Sequence, residues 1–131
     1  MDMNELIQAA TAAREHAYVP YSHFAVGAAV QTADGEIYAG CNIENASYGL
    51  TMCAERNAMF NAVAAGHQQL VAMAVIGQTD GPISPCGACR QVMAEFLPQQ
   101  APVYLTNLAG DLTTTSVGEL LPGAFLKGEL I

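Results

Sequence analysis

Met52-Cys53-Ala54-Glu55-Arg56-Asn57-Ala58-Met59-Phe60-Asn61-Ala62-Val63-Ala64-Ala65-Gly66, followed shortly by Leu70-Val71-Ala72-Met73-Ala74-Val75-Ile76, decides the fold. The first run is rich in good helix formers and predicts a helix from about Met52 to Ala65, ended by Gly66 as a C-terminal cap residue. The second is almost continuously apolar, as a strand buried on both faces must be. Together with a preceding strand they predict a βαβ unit.

Upstream, Asp2 is placed to cap a helix through about Tyr18, with Leu6, Ile7, Ala9, Ala10 and Ala13 as its apolar stripe and Pro20 beyond its end. Phe24–Gln31 and Glu36–Cys41 then read as a hairpin joined by Ala33-Asp34-Gly35, where Asp-Gly supplies the positive φ angles of a tight turn. Asn42–Thr51 has no clear period and predicts an ordered loop. Downstream, Pro85 sits at the start of a helix through about Leu97, Val103–Thr106 forms a short strand, and Val117–Leu121 a last short helix before a loose tail. The order α-β-β-α-β-α-β-α predicts helices packed on a mixed sheet.

Composition narrows the class. Of the 131 residues 52% are hydrophobic and only 12% charged, enough to close one core without staples, and no composition shift divides residues 1–131 into two domains. The net charge of −8 is the wrong sign for tracking a phosphate backbone, so nucleic acid is excluded as a partner. No apolar run reaches the about 18 residues of a membrane span, and the acidic, polar start MDMNELIQAA lacks the features of a signal peptide, so a cytoplasmic location is expected. In that compartment Cys41, Cys53, Cys86 and Cys89 read better as ligands, catalytic groups or core residues than as disulfides.

Pro85-Cys86-Gly87-Ala88-Cys89 puts two thiols three residues apart at a helix start, on one face and able to share one ion. Cys53, opening another helix, is the natural third ligand. Three protein ligands leave zinc one open position, the arrangement of a catalytic rather than a structural site. A closed four-cysteine site would need Cys41. Glu55 supplies the proton-carrying group that hydrolysis at a ring carbon requires, although position i+2 of an ideal helix points about 200° away from position i. Arg56 would offset the net −1 charge of Zn²⁺ with three thiolates. His16, His23 and His67 have no partner at ligand spacing and read as surface or core residues.

A metal ligand, Glu two positions later, then PCxxC is the zinc deaminase pattern. The chain resembles the small homotetrameric cytidine deaminases over nearly its whole length, through VPYSHFAVGAA, GCNIENASYGLTMCAER, SPCGACRQ and LLPGAF. The resemblance implies a three-layer α/β/α fold with a mixed sheet of about five strands. It implies one Zn²⁺ per chain on Cys53, Cys86 and Cys89, and hydrolysis of cytidine to uridine and ammonia in pyrimidine salvage. Zinc hydroxide would attack C4, with Glu55 as proton shuttle and Arg56 beside the thiolates.

By the same resemblance, Asn42 and Glu44 hold the ribose, Ala46 and Tyr48 lie near the 5′ end, and Phe24 and Phe125 pack on the pyrimidine. The amide of Ala54 reaches the base carbonyl, and the backbone at Ser84 and Pro85 faces the leaving amine. Phe125 would come from a neighbour in a homotetramer with shared sites. A cysteine at position 53, where relatives editing polynucleotides tend to have His, places the chain with the free-nucleoside branch. NIENASY and Phe125 fit cytidine better than a blasticidin-type substrate. A guanine, deoxycytidylate or nucleic-acid base deaminase and a non-catalytic zinc module are the competing readings.

Overall fold

The computed structural model describes residues 2–130. Helix α1 spans Met3–Arg14, β1 Val26–Thr32 and β2 Ile37–Cys41; α2 spans Ala54–Ala64, β3 Leu70–Gly77 and α3 Gly87–Phe96; β4 spans Pro102–Asn107, β5 Leu112–Ser116 and α4 Val117–Leu120. The strands form one sheet in the order β2-β1-β3-β4-β5. Only β3 and β4 pair in parallel; β1 pairs antiparallel with both β2 and β3, and β4 with β5.

Alternation along β1 and β3 divides the core into two layers, because successive side chains leave a strand on opposite faces. Val26, Ala28, Val30, Met73 and Val75 pack with Ala54, Ala58, Met59, Cys89 and Met93 beneath α2 and α3. Ala29, Ala72, Ala74 and Ile76 face the other way, onto Leu6 and Ala10 of α1. Helices therefore cover both faces, giving the expected three-layer α/β/α arrangement.

The docking is close because β2 carries glycine beneath α2. A Cβ on Gly40 would stand 2.5 Å from the backbone nitrogen of Ala58, a separation that real Cβ atoms do not tolerate, so helix and strand touch backbone to backbone.

Several expected boundaries shift, each for a local reason. The Asp2 cap is present, accepting from the Asn4 amide at 2.9 Å. Its helix stops at Arg14 rather than near Tyr18, because Tyr18 is taken into a bridge with Ile43, donating to Asn42 O and accepting from Glu44 N. In the hairpin only Gly35 has a positive φ, 92°, while Asp34 instead accepts from Thr32 Oγ1. Helix α3 begins at Gly87, with Cys86 in extended conformation as its cap and Pro85 before it. The fifth strand, Leu112–Ser116, escapes the periodicity reading because its Leu-Thr-Thr-Thr-Ser sequence lacks the apolar core that marks the other strands. It forms the exposed edge, where β-branched threonine suits a strand without an apolar face.

Candidate active site and metal centre

Helices α2 and α3 both start at the end of the sheet where the parallel strands β3 and β4 finish, and in open α/β sheets this is where ligands bind. Each helix is capped by a cysteine, Cys53 for α2 and Cys86 for α3, in extended conformation and with no side-chain hydrogen bond to the helix. Their thiols turn instead toward each other and toward Cys89 in the first turn of α3. Helix N-termini carry partial positive charge and favour thiolate, so two dipoles converge on one cluster.

The cluster has the dimensions of a zinc site. The sulfurs of Cys53 and Cys86 are 3.8 Å apart and those of Cys86 and Cys89 3.5 Å apart. Zinc–sulfur bonds of about 2.3 Å place tetrahedral ligands about 3.8 Å from one another. All four cysteines are free thiols. Cys41 lies outside the cluster, its thiol pushed up by burial and its carbonyl accepting from Asn57 Nδ2 at 2.8 Å. Three thiols therefore fit a zinc ion and leave its fourth position to something other than this set.

The electrostatics already set Cys53 and Cys89 apart. A hydrogen bond from Cys89 and donation by Arg56 lower Cys53 to about 5, and Cys89 is raised in return, first by that same bond and then by burial. Arg56 Nη2 donates to Cys53 Sγ at 3.4 Å.

Glu55 is only 5% exposed. Burial pushes its carboxyl up to about 7, and the negative Cys53 adds to the rise. The helical-wheel objection to its placement fails because Cys53 is a cap with extended dihedrals, so the angle between the two side chains is not a helix angle. Glu55, Cys53 and Cys86 line one cavity of about 310 Å³ with Phe24, Val26, Asn42, Thr51, Ala54, Thr79, Ile83 and Ser84. The volume lies within the ordinary small-molecule range of roughly 300–1,000 Å³.

The other expected residues fall into two groups. Phe24, Asn42 and Ala54 line the cavity, whereas Glu44 and Tyr48 line an adjoining hollow with Tyr21, Ser22 and Thr51. Ala46 is exposed, Tyr48 is 75% exposed, and Phe125 is 54% exposed and absent from both linings. Thr51 and Thr79, which no motif singles out, also line the cavity. His67, read from the sequence as partnerless, stands between Asp34 at 3.3 Å and Glu36 at 2.6 Å. That trio lies at the far end of β1 and β3 from the cysteines.

Residues 1–105 match the family described as the cytidine and deoxycytidylate deaminase zinc-binding region. The chain belongs to this family of zinc-binding deaminases. It is 58% identical over 130 residues to a cytidine deaminase of Sporosarcina psychrophila, covering 99% of this chain and 96% of that protein. The crystal structure of cytidine deaminase from Burkholderia pseudomallei superposes with a TM-score of 0.93 at 58% identity, over 95% of this chain and 100% of that one. The cytidine deaminase of Mycobacterium tuberculosis gives 0.82 at 41% identity, over 95% of this chain and 98% of that one.

Proposed function

We propose that this chain, acting as a single domain over residues 1–131, hydrolyses cytidine and 2′-deoxycytidine to the corresponding uracil nucleosides and ammonia. The observation that carries the reading is the buried carboxyl of Glu55 in the same nucleoside-sized cavity as Cys53 and Cys86. Cys53, Cys86 and Cys89 would hold one Zn²⁺ per chain, which would supply a water acidified toward neutrality as the nucleophile.

Glu55 moves the protons: it takes one from the attacking water and returns it to N3 of the base, then takes the second from the new C4 hydroxyl as the carbonyl forms and passes it to the amine leaving C4. Burial raises this carboxyl toward neutrality, the direction a group that both takes and gives protons needs. The Ala54 amide, in the first turn of α2 and without a helix carbonyl partner, is an available donor for the base carbonyl. Phe24 walls the base. The backbone at Ser84 and Pro85 faces the departing amine.

Asn42 and Glu44 are read as the ribose ligands. Asn42 Oδ1 accepts from the Val26 amide at 2.9 Å and keeps a second lone pair. Glu44 accepts from the Tyr21 and Ser22 amides and the Ser22 hydroxyl, leaving one of its roughly four acceptor positions. Ala46 and Tyr48 lie toward the 5′ end.

A free nucleoside suits the site better than a nucleotide. No Lys or Arg lines the cavity. Arg56 serves Cys53, Arg14 Nε donates to Ala25 O, and Arg90 donates to Pro85 O, Leu120 O and Ser84 Oγ. A free-nucleoside substrate fits a role in cytoplasmic pyrimidine salvage, and no helix among the described residues is long and apolar enough to cross a membrane.

Assembly completes the reading. Tyr18, Tyr21, Ile43, Tyr48, Leu50 and Phe125 leave an apolar surface exposed on the isolated chain. A homotetramer with sites shared between subunits would cover it and bring a neighbour's Phe125 over the base.

Ammonia release from cytidine, deoxycytidine, cytosine and deoxycytidylate, measured in parallel on zinc-loaded protein, tests the proposal. Rapid turnover of both nucleosides with poor turnover of cytosine and the nucleotide is expected. Inactivity on cytidine would overturn it.

A further inference from the structure

Resting on the nucleoside reading above, we infer that Ser22 is a positioning residue, whose hydroxyl couples the ribose carboxylate of Glu44 to the base wall at Phe24. Ser22 Oγ donates to Glu44 Oε2 and accepts from the Phe24 amide at 3.0 Å. It is thus the one side chain joining the carboxylate to the aromatic wall. Glu44 Oε1 is held separately by the amides of Tyr21 at 3.0 Å and Ser22 at 3.1 Å. Removing the hydroxyl leaves that oxygen fixed and the other free.

The backbone between the two ends is strained toward this arrangement. His23, lying between Ser22 and Phe24, is the only non-glycine residue with positive φ among those described, at 57°. A left-handed histidine persists where surrounding bonds over-determine it. Here they are the Ser22 relay on one side, the His23 amide donating to Val19 O at 3.0 Å, and Asn42 Nδ2 donating to Phe24 O at 2.8 Å. Without the hydroxyl, Phe24 keeps its carbonyl anchor and loses its amide anchor.

The coupling predicts a particular kinetic signature. Glu44 grips the ribose, which does not react, and Phe24 packs on the face of the base without touching the atoms that exchange, so disturbing them weakens ground state and transition state alike, raising KM with kcat little changed. A purely structural role would lower the amount of folded, metal-loaded enzyme and reduce kcat instead.

Steady-state kinetics on cytidine with Ser22→Ala, Ser22→Thr and Glu44→Gln, singly and as the Ser22→Ala/Glu44→Gln pair, test this. Zinc content and circular dichroism are recorded for each. Expected are a roughly tenfold higher KM for Ser22→Ala at nearly unchanged kcat and zinc, as for loss of one charge-assisted hydrogen bond. Recovery in Ser22→Thr and a smaller effect of Ser22→Ala once Glu44 is glutamine are expected with it. An unchanged KM, a loss confined to kcat, or full additivity in the double variant overturns the inference. Should Ser22→Ala not fold, Ser22→Cys, of similar size but weak as a donor, takes its place under the same outcomes. Wild-type protein inactive on cytidine would instead overturn the nucleoside reading itself.

Discussion

Arg56 reaches back one helical turn to donate from Nη2 to the sulfur of Cys53, 3.4 Å away. The bond ties a permanent cation to one of the three sulfurs placed to hold an ion. A Zn²⁺ held by three thiolates would carry net negative charge and lose power to acidify water; a guanidinium withdrawing density from one sulfur would restore part of it. The sulfurs in turn hold Arg56 firmly charged.

Arg56→Gln should therefore lower kcat by roughly 10- to 100-fold, the usual cost of removing a partner of a metal ligand. Kinetics paired with zinc analysis distinguish the cause. Reduced turnover at full zinc occupancy supports electronic tuning, whereas proportional loss of metal would show that Arg56 serves to retain it.

Glu55→Gln should keep fold and zinc while lowering kcat by about 10² to 10⁴-fold, since the amide fills the same buried space but carries no proton. Cys86→Ala, by contrast, should lose metal and activity together, because two thiols do not make a zinc site. Zinc content of both variants beside their turnover checks the pair. Near-normal turnover by Glu55→Gln would make Glu55 an ordinary buried carboxyl.

Phe125 is tethered through its carbonyl, which accepts from Gln91 Nε2 at 2.8 Å, while its ring stays outside its own chain's cavity. Phe125→Ala should raise KM for cytidine and leave zinc bound. Subunit exchange between Phe125→Ala and Glu55→Gln chains should give more activity than the two parents summed, since a hybrid site can combine an intact Glu55 with a neighbour's Phe125. Mixed tetramers without any gain would exclude sharing.

Gly40→Ala tests the fold rather than the chemistry. Its methyl would press on Ala58 N and on Asn57, and overpacking of this kind costs about 1–3 kcal/mol. A fall of several degrees in Tm should follow, measured by calorimetry at fixed protein and zinc concentration. An unchanged Tm would show that α2 can lift from β2 without loss.

Much of this arrangement was legible in the chain, and the limits were physical. The α2–β3 stretch was read within two residues at either end, because helix formers, Gly66 and a continuous apolar run all report locally. So were the thiols, since spacing along a helix start is a local property. Glu55's placement was not, because helical-wheel reasoning presumes that Cys53 belongs to the helix, and a cap residue does not. Strand β5 lacked apolar contrast. The Asp34–Glu36–His67 trio and the Ser22 relay bring together residues distant in sequence or joined through backbone groups, which side-chain identities alone do not encode.

The three thiols come from segments 33 residues apart in sequence, Cys53 on one side and Cys86 with Cys89 on the other, and β3 runs between them. An ion gripping all three closes that long loop and restricts the unfolded chain much as a covalent cross-link does. Unlike a disulfide, it can form in a reducing compartment and be withdrawn without breaking a covalent bond. An ion held there would double as a removable rivet between α2 and α3, so that its loss would loosen the chain at the same place where it emptied the metal centre.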